Sequence, residues 1–160
     1  MEQVAVFRIG DENFGIRIDR VVEILKSQKI YSLPELPEFL SGVINVRGEV
    51  IPLLDLRLRF GIHTPAKKGR MITVRCEGGK IGILVDEIDE IISLNPEDIT
   101  APPSIFRGLK TEYLIGLGKK GDRIIILLNL DKLLTSQEKI ILKESAELIG
   151  EKDAGAGKTA

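Results

Sequence analysis

The stretch FGIRIDRVVEIL, Phe14 to Leu25, returns later in the chain as IGILVDEIDEII, Ile81 to Ile92. Aligned without gaps, Gly15 meets Gly82, Ile16 meets Ile83, Asp19 meets Asp86, Glu23 meets Glu90 and Ile24 meets Ile91, and most other pairs set apolar against apolar. A second echo follows in the same order: VIPLLDL, Val50 to Leu56, corresponds to IIILLNL, Ile124 to Leu130, with Asp55 opposite Asn129. Repetition in a preserved order means one supersecondary unit used twice. Each copy holds about five strands in roughly 60 residues, a size at which a small β-barrel is only marginally stable alone. The expectation is a mainly β protein of two small barrels that share a buried interface.

The central stretch, Gly42 to Phe60, reads GVINVRGEVIPLLDLRLRF. Apolar runs at Gly42–Val46 and Val50–Leu56 flank Arg47-Gly48-Glu49, the pattern of a hairpin whose turn carries a cation and a glycine that tolerates positive φ. Val50-Ile51-Pro52-Leu53-Leu54 barely alternates, so this strand is expected to be covered on both faces. Pro52 cannot donate to a ladder, which places it on a sheet edge or at a bulge. Elsewhere, Val4–Ile9 and Phe14–Ile18 form a hairpin, Pro37 opens a helical turn closed by Gly42, and Thr111–Leu117 pairs with Arg123–Leu128 across Gly118–Asp122. Thr135-Ser136-Gln137-Glu138 fits a capping box before a helix at about 136–148, although Lys139–Lys143 also reads as a strand. Residues 150–160 are small and polar, as in a flexible tail.

Composition bounds the chemistry. A net charge of -1 and an aromatic complement of 2 Tyr, 5 Phe and 0 Trp argue against a nucleic-acid-binding module, which remains the weakest reading. Cys76 is alone, so no disulfide and no cysteine zinc site is expected, and Cys76 reads as a core or sheet-face residue. His63, the single histidine, lies in a Gly/Pro loop and reads as solvated rather than as a ligand or base. The acidic run Asp86, Glu87, Asp89, Glu90 reads as a solvent-facing rim, and the loop cations Lys67, Lys68 and Arg70 as solubilising. Gly155-Ala156-Gly157-Lys158-Thr159 imitates the end of a phosphate-binding loop, but Lys152 stands where that motif needs glycine. No catalytic constellation, cofactor or metal is indicated. Without a membrane-length apolar stretch or a leader pattern at Met1-Glu2-Gln3, the chain is expected to be cytoplasmic.

Taken together, FRIGDENFGIRIDRVVEIL, LPELPEFLSGVINVRGEVIPLLDLRLRFG, GILVDEIDEII and IIILLNLDKLL resemble the CheW family of bacterial chemotaxis coupling proteins, from Val4 to about Leu148. The most specific part is Asn45-Val46-Arg47-Gly48, which stands where the family usually has Asn-Leu-Arg-Gly, followed by the proline-containing strand that ends in Asp-Leu-Arg. The resemblance implies two packed SH3-like five-stranded β-barrels with short helices and a C-terminal helix. Residues 1–149 would be a CheW-like domain, its first barrel mainly from about 4–60 and its second mainly from about 71–134, with room for strand exchange, before the tail 150–160. It implies a non-catalytic adaptor that couples the helical-hairpin tip of a chemoreceptor to the regulatory domain of a CheA histidine kinase, recruited from the cytoplasm to receptor arrays without inserting into the membrane. A coupling protein of a related motility or pili pathway is the alternative.

Carried onto this sequence, the receptor-facing positions are Val21, Glu23, Gly42, Asn45 and Arg47. Val21 would offer apolar contact, Gly42 close approach of a partner backbone, and Arg47 a fork of donors. The bland readings are core for Val21, a helix stop for Gly42, a turn former for Asn45 and a partner of Arg20 for Glu23. Gly48 and Pro52 are turn and strand residues, and Asp55 and Asn129 are structural groups that brace a turn or cap the next helical turn.

Overall fold

Alternation within the strands divides the apolar side chains among three cores. Along β1 (Glu2–Ile9), Val4 and Val6 point one way while Ala5, Phe7 and Ile9 point the other. In β2 (Glu12–Arg17) Phe14 and Ile16 both face the core of Phe7; after a 3-10 turn at Ile18–Arg20 a split recurs in β3 (Val21–Leu25), β4 (Leu40–Val46) and β5 (Glu49–Asp55). A short helix α1 (Leu56–Arg59) precedes β6 (Arg70–Cys76), β7 (Gly79–Val85) and β8 (Glu87–Leu94). Short strands β9 (Ile99–Thr100), β10 (Ile105–Phe106) and β11 (Leu109–Lys110) lead to β12 (Leu114–Lys120) and β13 (Arg123–Leu128). This computed structural model describes residues 1–26, 28–62, 69–106, 109–141 and 143–144. His63, Lys67, Lys68 and the tail 150–160 lie outside the described residues, as do 145–148 of the expected helix.

Two large sheets result, one in the order β3-β6-β7-β5-β4 and one in the order β8-β1-β2-β13-β12-β9, while β10 and β11 pair separately with each other. Each large sheet contains one parallel pair, β5 with β7 and β13 with β2. Superposing the orders matches β3 with β8, β7 with β2 and β5 with β13, the correspondences of the sequence repeat, and adds β6 with β1 and β4 with β12. The hairpin that opens each repeat, β1/β2 or β6/β7, pairs into the sheet that holds the rest of the other repeat. The duplication is therefore also a reciprocal exchange.

Leu25, Ile44, Val46, Ile51, Leu53 and Met71 fill the five-stranded sheet, and Val4, Val6, Ile92, Leu94, Ile125 and Leu127 fill the six-stranded one. Between the sheets lies the largest core, with Phe7, Phe14, Ile16, Leu54, Leu56, Ile72, Ile83, Ile126 and Leu128. Phe7, Phe14, Phe60 and Tyr113 form a row through it, with successive ring centroids 5.9, 5.4 and 5.5 Å apart. The near-continuous apolar runs of β5 and β13 follow from this arrangement: Ile51 and Leu53 face their own sheet's core while Leu54 faces the shared one.

Several local expectations change. Pro52 sits on an inner strand, not at an edge or bulge. Its partner Val43 uses both backbone groups on Tyr31 (2.8 and 3.0 Å), so the Val43/Pro52 pair needs no proline N–H. On the other side the β5/β7 ladder begins only at Leu53. Gly118–Lys120 belong to β12, leaving Gly121-Asp122 as a two-residue turn. The stretch after Pro37 is a turn closed by Leu40 N–H to Pro37 O (2.9 Å) rather than a helical turn ending at Gly42.

The C-terminal segment is helical over 136–141 and 143–144, and its capping box is reciprocal: Glu138 N–H donates to Thr135 Oγ1 (3.1 Å) and Thr135 N–H to Glu138 Oε1 (2.7 Å). That fixed start settles the helix-or-strand ambiguity at Lys139. Glu138 also takes a two-pronged bond from Arg59 (3.1 and 3.3 Å), whose guanidinium lies over Phe39 and Tyr113.

Candidate functional site

The residues singled out from the sequence converge on one end of the five-stranded sheet, apart from two. The β4/β5 connection is a two-residue turn in which Arg47 (φ 51°) and Gly48 (φ 88°) both take positive φ. That is the type I′ geometry whose twist suits a tight hairpin. Asn45 braces it, its Oδ1 accepting from Gly48 N–H at 2.8 Å. Glu49, assigned to the turn by sequence, is the first residue of β5.

Arg47 reaches across to Glu23 on β3, with Nη2 to Oε1 at 2.6 Å and Nη1 to Oε2 at 3.0 Å. Since β3 and β4 are the two edges of the sheet, this fork joins edge to edge and marks how far the sheet has curled. Hydrogen bonding to Arg47 lowers the Glu23 carboxyl below its usual range and raises the guanidinium in turn. The Arg47 side chain is nevertheless 72% exposed, so a partner can reach it. Glu23 is thus paired with Arg47, while Arg20 is engaged by Asp131 through Nη1 to Oδ1 (3.2 Å) and Nη2 to Oδ2 (3.0 Å).

Val21 and Gly42 do not project from this surface. Val21 is half-buried and packs on the core between the sheets. The apolar groups offered by β3 are its neighbours Val22 and Ile24, the latter 55% exposed. A register shift between Val21 and Glu23, paired with Val74 and Thr73, makes Val22 a bulged residue, while exposure still alternates along the strand, with Val22 and Ile24 outward and Val21, Glu23 and Leu25 turned in. Period-2 reading of VVEIL separates these two faces but does not say which of them is covered. Gly42 is buried with φ 135°, and a Cβ there would lie 2.2 Å from the carbonyl oxygen of Tyr31. The protein's own backbone at Tyr31 is close enough to require the missing side chain.

Asp55 caps α1, its Oδ1 accepting from Arg57 N–H (3.0 Å) and Leu58 N–H (3.5 Å). Asn129 occupies the matching position before the 3-10 turn Leu130–Lys132 but makes no side-chain capping bond. Asp86, read as rim, is instead nearly buried: it accepts from Gly10 N–H at 2.7 Å and lies 3.4 Å from Arg57 Nε. Arg57 itself is buried between Asp86 and Asp55. The signal was available in the repeat, since Asp86 follows β7 where the chain crosses to the other sheet.

A groove of about 520 Å³ begins at Glu49, beside the turn. Ile51, Pro52 and Ile81 form one wall and Leu134 and Ile140 the other. Cys76 lines it as well, and burial pushes its thiol up to about 11, so it is no nucleophile at neutral pH. Among the described residues no group of three or more His, Cys, Asp or Glu is placed to hold a metal, and no helix is long and apolar enough to cross a membrane. What the site offers is recognition: a rigid turn, an oriented ion pair and exposed aliphatic groups on one edge strand.

Comparison with known proteins bears on what would be recognised. The family model described as CheW-like domain matches residues 3–138. The chain is 33% identical over 148 residues to the chemotaxis protein CheW of Klebsiella aerogenes, covering 91% of this chain and 89% of that one. It is 32% identical to protein FrzA of Myxococcus xanthus over 143 residues, covering 86% of this chain and 88% of FrzA. The crystal structure of the scaffolding protein TtCheW from Thermoanaerobacter tengcongensis superposes with a TM-score of 0.81 at 35% identity, over 86% of this chain and 94% of that one.

Proposed function

Since the chain belongs to the CheW-like domain family, we propose that it is an adaptor without a catalytic step of its own, coupling the helical tip of a chemoreceptor to the regulatory domain of a CheA-type histidine kinase. In this reading the protein works in the cytoplasm and joins receptor arrays through its partners. The observation that carries the receptor-facing part is the Glu23–Arg47 fork beside exposed Val22 and Ile24. A receptor helix lays its apolar stripe on Val22 and Ile24, and its carboxylates or terminal carbonyls compete with Glu23 for the guanidinium. Because Glu23 already holds Arg47 in place, little side-chain freedom is left to lose on binding. The match to FrzA supports a second reading, the same adaptor role in another motility pathway.

The test is receptor-dependent autophosphorylation of a purified histidine kinase, with receptor-bearing membranes and this protein, wild type beside Arg47→Glu. The variant sets two carboxylates against each other at an exposed turn, which should leave the fold in place and abolish coupling. Undiminished coupling by a folded Arg47→Glu protein would remove the turn from the receptor surface. No activation by the wild type with partners from its own organism, but activation of a different pathway's kinase, would favour the second reading.

A further inference from the structure

The repeat duplicates more than the framework. Glu23 and Ile24 on β3 correspond to Glu90 and Ile91 on β8, and β3 and β8 are each the edge strand of their sheet. Both carry a bulge at the same place: the β1/β8 register shifts where Val6 faces Glu90 and Phe7 faces Ile88, leaving Asp89 as the counterpart of Val22. Both glutamates are held by an arginine from the corresponding hairpin on the other side of the sheet, β4/β5 or β12/β13. Arg47 follows β4, and Arg123 opens β13 just after the β12/β13 turn. Arg123 binds Glu90 through Nη1 and Asp89 through Nη2, the latter at 2.7 Å. Beside each pair stands an exposed isoleucine, Ile24 at 55% and Ile91 at 60%.

The two edges differ in charge. On β3 one guanidinium meets one carboxylate. On β8 a single guanidinium is shared by Asp89 and Glu90, so the cluster keeps one negative charge, and nearby Glu87 is matched by Arg8 at 3.7 Å. We propose that the β8 edge is a second docking site, taking an amphipathic helix whose apolar stripe covers Ile91 and whose lysine or arginine completes the Asp89/Glu90/Arg123 cluster. A helix is favoured over an added strand. The bulge at Asp89 interrupts a straight edge, and the Ser93 carbonyl already accepts from Lys120 Nζ at 3.1 Å. The inference rests on the docking reading of β3 only in taking that edge as its template; the charge and exposure of β8 are its own.

The experiment is an amide-shift titration of the isotopically labelled full chain with two synthetic helical peptides that share a leucine stripe, one flanked by lysines and one by glutamates. The lysine peptide should shift Asp89 to Ile92 and Arg123 to Ile124 saturably, and added salt should weaken it several-fold. Ile91→Ser should abolish those shifts, while Ile24→Ser should leave them. Absence of shifts on β8, equal shifts from both peptides, or shifts indifferent to Ile91→Ser would each overturn the proposal. In the kinase assay Ile91→Ser should retain receptor coupling. Loss of the Arg47 reading there would leave the β8 titration to stand or fall alone.

Discussion

Replacing Gly42 by alanine separates a contact role from a structural one. At φ 135° a side chain is strained whatever surrounds it, and the added Cβ would lie 2.2 Å from Tyr31 O and 2.9 Å from Tyr31 C, both backbone atoms that cannot rotate away. A strained backbone conformation of this kind costs on the order of 1–3 kcal/mol. Relieving the overlap moves Tyr31 off β4 and breaks its two bonds with Val43, each worth about 1 kcal/mol net. Gly42→Ala should therefore destabilise the fold by roughly 4 kcal/mol, which for a chain of this size lowers Tm by about 8–16 °C. Thermal or urea unfolding measures it directly, with wild-type and variant m-values compared to confirm two-state behaviour. An unchanged midpoint combined with weakened receptor binding would refute the reasoning and restore Gly42 as a point of partner contact.

Three further perturbations probe the ionic groups and the thiol. Arg57→Ala leaves Asp55 and Asp86 buried without their shared cation and should cost roughly 3–5 kcal/mol in urea unfolding. Asp131 is held below the usual carboxylate range by its bond from Arg20, with a further bond from Glu77 N–H at 2.8 Å. Its contribution is thus present above the unfolded carboxyl pKa and lost as pH falls through the lower folded value, and the stability gap between wild type and Asp131→Asn should close on acidification. Cys76, with its thiol raised to about 11, binds a proton in the folded state that the unfolded chain has released. Between the unfolded value and about 11, stability should fall with rising pH by up to about 1.4 kcal/mol per unit, a slope that Cys76→Ala removes.

The duplicated architecture was legible because the repeat kept its order and its glycine, aspartate and isoleucine positions through both copies. The turn was legible because Arg47-Gly48 between apolar runs leaves little else for the chain to do. What escaped were features set by partners distant in sequence. Gly42 reads as a helix stop until Tyr31 is laid across it. Val22 and Ile24 replace Val21 as the exposed groups because the face of β3 that carries Val21 is the one packed on the core between the sheets. Asp86 reads as solvated until Arg57 and the Gly10 amide are brought to it. Pro52 is tolerated inside a sheet because Val43 has turned its hydrogen bonds towards Tyr31.

The reciprocal exchange of hairpins has a consequence in time. Phe14 on β2 pairs with Ile126 on β13, so the β1/β2 hairpin can take β8 on its β1 side but has no partner for β2 until β13 follows. At common synthesis rates that delay of about 110 residues is on the order of 5–20 s. Meanwhile Phe7, Phe14 and Ile16 lack the Leu114, Ile126 and Leu128 side of the core they will occupy. The five-stranded sheet has all its strands once β7 has emerged, and it can assemble first and serve as the surface on which the late pairing closes. A nascent chain halted once Val85 has cleared the ribosome should therefore protect β3 to β7 from protease while leaving β1 and β2 open to it.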